Sequence, residues 1–168
     1  MKIKKIVVAA LFASLTCVAT LAQIPLPLVG YINLGDCFVL LAAWLLGPVY
    51  GAAAAGIGSV LGDVISGFAV YAPFTFIIKA GMAIIAFFVV GKAKQFSLSP
   101  LMRILSAAIA EAIMVTGYFL TECFVFGLGT GAAASIPYNC IQGAAGIIGA
   151  VLLFTAVNKI RLFSEIFK

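Results

Sequence analysis

Side chains that could do chemistry are few in this chain, and they lie in apolar surroundings. Asp63 and Lys79 are the only charged residues within the 55 residues of 37–91. Later, Tyr118 and Glu122 stand four positions apart, so a helix would present both on one face. A charge at the centre of a membrane costs roughly 2.5–3.5 kcal/mol on insertion scales. Such residues therefore need a counter-charge, a water-filled cavity or a ligand.

Two amides extend this polar set, since Asn139 and Gln142 fall in the first turns of the helix predicted after Pro137. The uncompensated polar groups then share one depth, in the outer half of the predicted bundle: Asp63, Lys79, Tyr118, Glu122, Asn139 and Gln142. A channel or proton relay would need polar groups through the full thickness. A few directional polar groups in an apolar wall indicate instead a closed small-molecule pocket that opens outward.

Several of these residues have a second interpretation. Asp63 could bind a ligand, pair with Lys79 or bond to the backbone. Trp44, the only tryptophan, is either an interfacial or packing aromatic or a wall of the pocket. Glu111 shares the helix face of Tyr118 and Glu122, but it sits deeper.

Enzyme chemistry has little support in the sequence. Histidine is absent, which removes the commonest general base and metal ligand. No GxxxxGK[ST] phosphate loop, HExxH motif or nucleophile elbow is present. We therefore expect no catalytic residue, no metal site, no cofactor and no nucleic-acid partner. A small membrane enzyme using Glu111 or Glu122 stays the weakest alternative. We expect the cysteines to be small buried apolar residues, and a disulfide among Cys37, Cys123 and Cys140 is the alternative that the sequence does not decide.

The composition is that of an integral membrane protein, with 65% hydrophobic and 9% charged residues in 168. Nine of the ten basic residues fall into three clusters, around Lys2–Lys5, Lys92–Arg103 and Lys159–Lys168. Because basic residues mark the cytoplasmic side, an even number of spans must separate these clusters. The sequence thus predicts a single all-α domain, 1–168, with six transmembrane helices and both termini cytoplasmic, at about 6–22, 36–49, 51–67, 73–91, 101–125 and 136–158. The first apolar run imitates a signal peptide, and we interpret it as a retained span.

Small residues favour close helix contacts in this bundle. Ala9 and Ala13 stand four apart on helix 1, which suits either internal packing or docking of another membrane subunit. Gly58-xxx-Gly62 is a second close-contact motif. Between helices 1 and 2, the loop from Gln23 to Asp36 is apolar and contains two prolines, so we expect a lid or an interfacial loop, with Asp36 capping helix 2.

The residues resemble a known family at two places, INLGD…LLGPVYGAAAAGIGSVLGDVISG…YAPFTFIIK and IPYNCIQGAAGIIGA. Both are similar to the substrate-binding S components of energy-coupling factor (ECF) vitamin transporters. The resemblance implies a six-helix bundle in the bacterial plasma membrane that binds a vitamin near the outer face. It also implies a transmembrane T subunit, which Ala9 and Ala13 would contact, and two cytoplasmic ATPase subunits.

The resemblance favours a small heteroaromatic substrate such as pyridoxine, hydroxymethylpyrimidine or riboflavin. We therefore predict that Lys79, Glu122, Asn139 and Gln142 contact the ligand and that Tyr118 or Trp44 stacks on it. The alternative is a structural membrane subunit that transports nothing, in which the polar groups satisfy one another.

Overall fold

A computed structural model describes residues 2–25, 31–91 and 99–159 of the chain. The order of its main elements is α1 (Lys2–Leu21), β1 (Gln23–Pro25), β2 (Tyr31–Asn33), α2 (Gly35–Ile65), α3 (Ala72–Val90), α4 (Pro100–Leu120) and α5 (Ile136–Asn158). The two short strands pair antiparallel, with Ile24 opposite Ile32. A π-helical turn, Thr121–Val125, and a 3-10 helix, Gly129–Ser135, connect α4 to α5. Within the described ranges, the fold is all-helical apart from this hairpin.

Five helical stretches in the described part of the chain are long and apolar enough to cross a membrane: Ile3–Leu21, Gly35–Ile65, Ala72–Val90, Pro100–Val125 and Gly129–Asn158. The protein is therefore a multi-pass membrane protein, as the composition predicted. The count of six helices and the cytoplasmic termini stay predictions. The basic residues Lys92, Lys94, Arg161 and Lys168, on which that topology partly rests, lie outside the described residues.

The longest helix, α2, folds back on itself at Gly47. This glycine has φ 81°, a left-handed conformation that glycine adopts without steric cost. In a straight helix, residues nine apart lie about 13.5 Å apart along the axis. Yet a Cβ on Gly51 would lie 2.8 Å from the Ala42 carbonyl oxygen. Residues 35–46 and 48–65 are thus two arms that pack against each other, where the sequence predicted separate helices at 36–49 and 51–67.

The core of the bundle is built around α2, which packs against α1, α3 and α5. Its first arm is almost wholly buried, and Val39, Leu40 and Ala42 have no exposed surface. Asp36 does not cap this helix as expected, because the N-cap position is Leu34. The Asp36 carboxylate is instead buried in the first turn, where it bonds to side chains of α3 and α5.

Helix α1 packs against the second arm of α2. A Cβ on Gly58 would overlap the carbonyl oxygen of Ala13, and one on Gly62 would overlap the side chain of Thr20. The Gly58-xxx-Gly62 motif therefore lets the backbone of α2 come close to α1, against the Ala13 backbone at Gly58 and the Thr20 side chain at Gly62, the close approach that such motifs favour in lipid.

Candidate functional site

A polar cleft lies at the end of the bundle opposite to the chain's N-terminus. It encloses about 370 Å³ between atoms, part of which is open to solvent. Three aromatic phenols, one phenyl ring, two carboxylates, three amides and one hydroxyl surround it. We call this set of residues the polar cleft: Tyr31, Asn33, Asp63, Phe68, Tyr71, Thr75, Tyr118, Glu122, Asn139 and Gln142.

Strand β2, the helices α2 to α5 and the turns between them contribute to the cleft. Strand β2 supplies Tyr31 and Asn33, the end of α2 supplies Asp63, and the first turns of α5 supply Asn139 and Gln142. Glu122 comes from the π-helical turn after α4. Such turns interrupt the regular ladder of an α-helix and occur frequently at functional sites.

The two carboxylates of the cleft are each held by one tyrosine. The Tyr31 hydroxyl donates to Asp63 Oδ1, and the Tyr71 hydroxyl donates to Glu122 Oε1 at 3.4 Å. The second oxygen of each carboxylate, Asp63 Oδ2 and Glu122 Oε2, is buried and accepts no hydrogen bond of standard geometry from the described residues, although the Thr75 and Ser135 side chains lie near Asp63 and Glu122. Since a buried acceptor left unpaired costs about 1–3 kcal/mol, the cleft holds two acceptor positions that a ligand could satisfy.

Both tyrosines keep their protons in this setting. Burial, followed by the charge of Asp63 and the hydrogen bond to it, raises the pKa of Tyr31 well above its usual range. Burial and then the charge of Glu122 raise the pKa of Tyr71 to about 12. At neutral pH both phenols therefore act as donors, which matches the roles their geometry gives them.

The hairpin is bonded to the helices across the cleft. The Asn33 backbone N–H donates to Gln142 Oε1 at 2.9 Å, and its side chain donates to the same oxygen at 3.3 Å. The Tyr31 ring packs on Phe68 with centroids 4.8 Å apart. The sequence predicted either a lid or an interfacial loop here; Tyr31 and Asn33 line the cleft, and the lid stays a prediction. Residues 26–30 of the loop lie outside the described residues.

Lys79 has a different partner from the one that its spacing suggested. Its ammonium group forms a buried salt bridge with Asp36, whereas Asp63, the partner considered from the sequence, bonds to Tyr31. Asp36 Oδ2 also accepts from Gln142 Nε2 at 2.6 Å. Lys79 lies 5.5 Å from the centroid of the Tyr118 ring and is not among the residues that line the cleft. Its charge is therefore matched by Asp36 behind the cleft wall.

Trp44 lies in the core and not in the cleft lining. It has no exposed surface, its indole N–H donates to Ser106 Oγ at 3.2 Å, and its ring meets Phe154 edge-on. Of the two interpretations of Trp44, the structure favours packing. The structure thus brings five of the seven predicted ligand residues to the cleft, namely Asp63, Tyr118, Glu122, Asn139 and Gln142.

Glu111 is buried deeper in the bundle, where α4 meets α5. Positions 143 and 146 of α5 are glycines, and a Cβ on either would lie about 3 Å from the Glu111 carboxylate. Within the described ranges, neither oxygen of Glu111 has a hydrogen-bond partner, and no group of three or more cysteine or acidic residues could hold a metal ion.

All four cysteines are free thiols, so none of the disulfides left open by the sequence is formed.

A second, apolar surface contains the small residues of α1. Ala9 and Ala13 are half-buried, and they line a groove between α1 and the second arm of α2. The rest of the groove is also mostly apolar, with lining residues Ile6, Ala10, Ser14, Tyr50, Ala53, Ala54, Ile57 and Leu61. Ala9 and Ala13 were predicted to serve either internal packing or the docking of another membrane subunit. Both interpretations keep support, because one side of this part of α1 packs on α2 and the other faces the groove.

Five cleft residues were not among the predicted ligand contacts: Tyr31, Asn33, Phe68, Tyr71 and Thr75. Their common signal is weak, since they lie in the short hairpin, in the connection before α3 or in the first turn of α3, where polar and aromatic residues are ordinary. The aromatic residues form a connected wall in which the Tyr71 ring contacts Phe68, Tyr118 and Phe126. Only the fold shows that these turns meet.

Comparisons with known proteins give one matching family, one uncharacterised relative and one similar fold. The sequence model of the family described as "ECF-type riboflavin transporter, S component" matches residues 1–159. An uncharacterised protein of Pyrococcus woesei is 35% identical over 136 residues, covering 80% of this chain and 88% of that protein. The structure is similar to that of the S component of a bacterial ECF transporter, with a TM-score of 0.77, 21% identity, and coverage of 95% of this chain and 98% of that one. At that identity, the structural likeness concerns the fold.

The family match covers nearly the whole chain, and the fold, the membrane helices and the polar cleft are consistent with it. Its members are transporter subunits rather than enzymes, and substrate binding is the role of an S component. This chain belongs to the family of S components of ECF-type riboflavin transporters.

Proposed function

We propose that the polar cleft captures a water-soluble vitamin, with riboflavin as the first candidate, at the outer face of the bacterial plasma membrane. Pyridoxine and hydroxymethylpyrimidine are the next candidates. Partner subunits would supply the energy for uptake, namely a transmembrane T subunit and two cytoplasmic ATPases.

One observation carries this proposal: two buried carboxylates in one aromatic-walled cleft each leave an oxygen without a partner in the described structure. A subunit with a purely structural role would gain stability by satisfying or removing these groups. A heteroaromatic vitamin with hydroxyl or N–H groups would satisfy the two oxygens and pack its ring on the tyrosines. The family match favours riboflavin among such molecules.

The first test is to purify the full chain in detergent, identify any co-purified small molecule by mass spectrometry, and titrate it with riboflavin, pyridoxine and hydroxymethylpyrimidine. We expect one of these vitamins to bind. Asn139→Ala should weaken its affinity by about 10-fold or more, because the cleft loses an amide within reach of the ligand.

The matched control is Cys140→Ala, which changes the neighbouring residue. Cys140 is exposed and does not line the cleft, so its loss should leave the affinity unchanged. Folded protein that binds none of the vitamins would overturn the proposed function and favour the structural subunit.

We further propose that the apolar groove on α1 receives the T subunit. Small residues allow close helix approach in lipid, and Ala9 and Ala13 present such residues at the groove. Ala9→Leu with Ala13→Leu should fill the groove and abolish co-purification with a co-expressed T subunit, while vitamin affinity stays unchanged. Val7→Leu adds bulk at an exposed position of the same helix outside the groove, and it should have no effect.

The proposed topology follows the basic residues and the α2 hairpin. If each arm of α2 crosses the membrane separately, six spans place both termini in the cytoplasm and the polar cleft outside. Cysteine labelling from one side of sealed vesicles tests this orientation. A reagent confined to the outside should modify Cys140, the exposed cysteine beside the cleft, and should not modify a cysteine introduced at residue 168.

A further inference from the structure

The charge facing the polar cleft is negative. Asp63 and Glu122 are the only charged residues that line it, and no lysine or arginine is among the lining residues in the described part of the chain. The nearby cation, Lys79, is already bound to Asp36. Asp63 and Glu122 are only 4% and 2% exposed, so water and salt screen their charge weakly.

The cleft also offers few groups that could bind an anion. Phosphate sites in proteins use arginine, lysine or the free N–H groups at helix N-termini. The first turns of α3 and α5 lie beside the cleft, where they contribute Thr75 and Asn139, and each first turn has one N–H group fewer because it contains a proline, Pro73 or Pro137. Proline has no N–H to donate. The Gln142 amide is also engaged, with its oxygen on Asn33 and its nitrogen on Asp36.

The free oxygens of the two carboxylates define what the cleft accepts. An ionised carboxylate is an acceptor only, so Asp63 Oδ2 and Glu122 Oε2 require hydroxyl, N–H or ammonium groups on the ligand. The free alcohol of a vitamin meets this requirement. Its phosphate ester replaces that hydroxyl donor with an anionic acceptor and meets like charges in a poorly screened site.

We propose that Asp63 and Glu122 make the cleft select the free, neutral or cationic vitamin and reject its phosphorylated form. This inference rests on the proposed function, since it concerns the same cleft and the same vitamins. It adds the chemical form of the substrate and the two residues that determine it.

The test uses matched pairs of ligands, because each candidate vitamin has a phosphate ester at one primary hydroxyl. Riboflavin is compared with flavin mononucleotide, pyridoxine with pyridoxine 5′-phosphate, and hydroxymethylpyrimidine with its monophosphate, by titration of the purified full chain. We expect the phosphorylated member of the pair that binds to be weaker by about 100-fold or more, the scale of a like-charge contact of a few kcal/mol. The neutral acetate ester at the same hydroxyl controls for size and should be weaker by much less.

The double variant Asp63→Asn with Glu122→Gln keeps the shape of both side chains and removes both charges. The ratio between the two affinities should fall to about 10-fold or less, whatever happens to the affinity for the free vitamin. Glu111→Gln removes a buried carboxylate of α4 that does not line the cleft, and it should leave the ratio unchanged.

Three results would overturn the inference while leaving the proposed function intact: equal binding of vitamin and phosphate ester, rejection of the acetate ester as strong as that of the phosphate, or an unchanged ratio in the double variant. If the double variant does not fold, the comparison of acetate and phosphate esters on the unmodified chain decides alone. Failure of every free vitamin to bind would overturn the proposed function itself, and the inference with it.

Discussion

Two sets of buried charges in this protein differ in how fully they are satisfied. The first set, the buried ion-pair network, consists of the charged pair Lys79 and Asp36 with the neutral amide of Gln142. Lys79 and Gln142 together give both oxygens of Asp36 a partner. The second set, the cleft carboxylates, consists of Asp63 and Glu122, each with one oxygen bonded to a tyrosine and one without a partner in the described ranges. Both sets are buried to a similar degree.

This difference distinguishes the residues that stabilise the bundle from those that are available to bind a ligand. A charge that is matched inside the membrane stabilises the bundle and has no capacity left for a ligand, whereas an acceptor left open in a cleft is available to one. From composition alone, Lys79 and Glu122 were equivalent candidates, since both are rare ionisable residues at the same predicted depth. The structure distinguishes them by their partners.

The largest expected effect comes from breaking the buried ion-pair network. Lys79→Ala leaves the Asp36 carboxylate buried without its cation, which should lower the free energy of unfolding by about 3–5 kcal/mol. Thermal unfolding in detergent should show a large drop in melting temperature or a loss of folded protein. Adding Asp36→Asn should restore part of the stability, because the unmatched charge is then gone. A variant of normal stability that has lost vitamin affinity would instead make Lys79 a ligand contact.

A smaller effect is expected from the tyrosines that hold the cleft carboxylates. Tyr31→Phe removes the donor to Asp63 Oδ1 and should weaken vitamin affinity by about 10-fold, since a hydrogen bond to a charged group contributes about 1.5–3 kcal/mol. Tyr71→Phe should cost less, because its bond to Glu122 is long at 3.4 Å. Tyr50→Phe, the same change in the apolar groove, serves as the control in calorimetric titration. If all three variants bind equally well, the carboxylates do not depend on these tyrosines.

The smallest effect on binding is expected at Trp44. Trp44→Phe loses the bond to Ser106 and some packing on Phe154, so the free energy of unfolding should fall by about 1–2 kcal/mol. Vitamin affinity should stay within about twofold of the unmodified chain. A tenfold loss of affinity at normal stability would show that Trp44 contributes to the binding site. The assignment of Trp44 to the core alone would then be wrong.

Local pattern predicted the parts of the site that lie on regular helices. The face of α4 shared by Glu111 and Tyr118 turns toward the interior, where Glu111 is buried and Tyr118 lines the cleft, and the π-helical turn that follows keeps Glu122 buried on the same side. Turns carried no comparable signal. Tyr71 and Phe68 lie in the connection before α3, and Tyr31 lies in the hairpin, so no periodicity indicated which way their rings would point.

The sequence by itself determined that this chain lies in a membrane, which segments are apolar enough to span it, and that its few buried charges need partners. These properties are local, because hydropathy and helical spacing depend on neighbouring residues. The tertiary structure decided which charges match each other and which stay open to a ligand. Lys79 meets Asp36 across 43 positions, and Gln142 meets Asp36 across 106. Those contacts depend on the reversal of α2 at Gly47 and on the packing of α3 and α5 against it, which no spacing along the chain specifies.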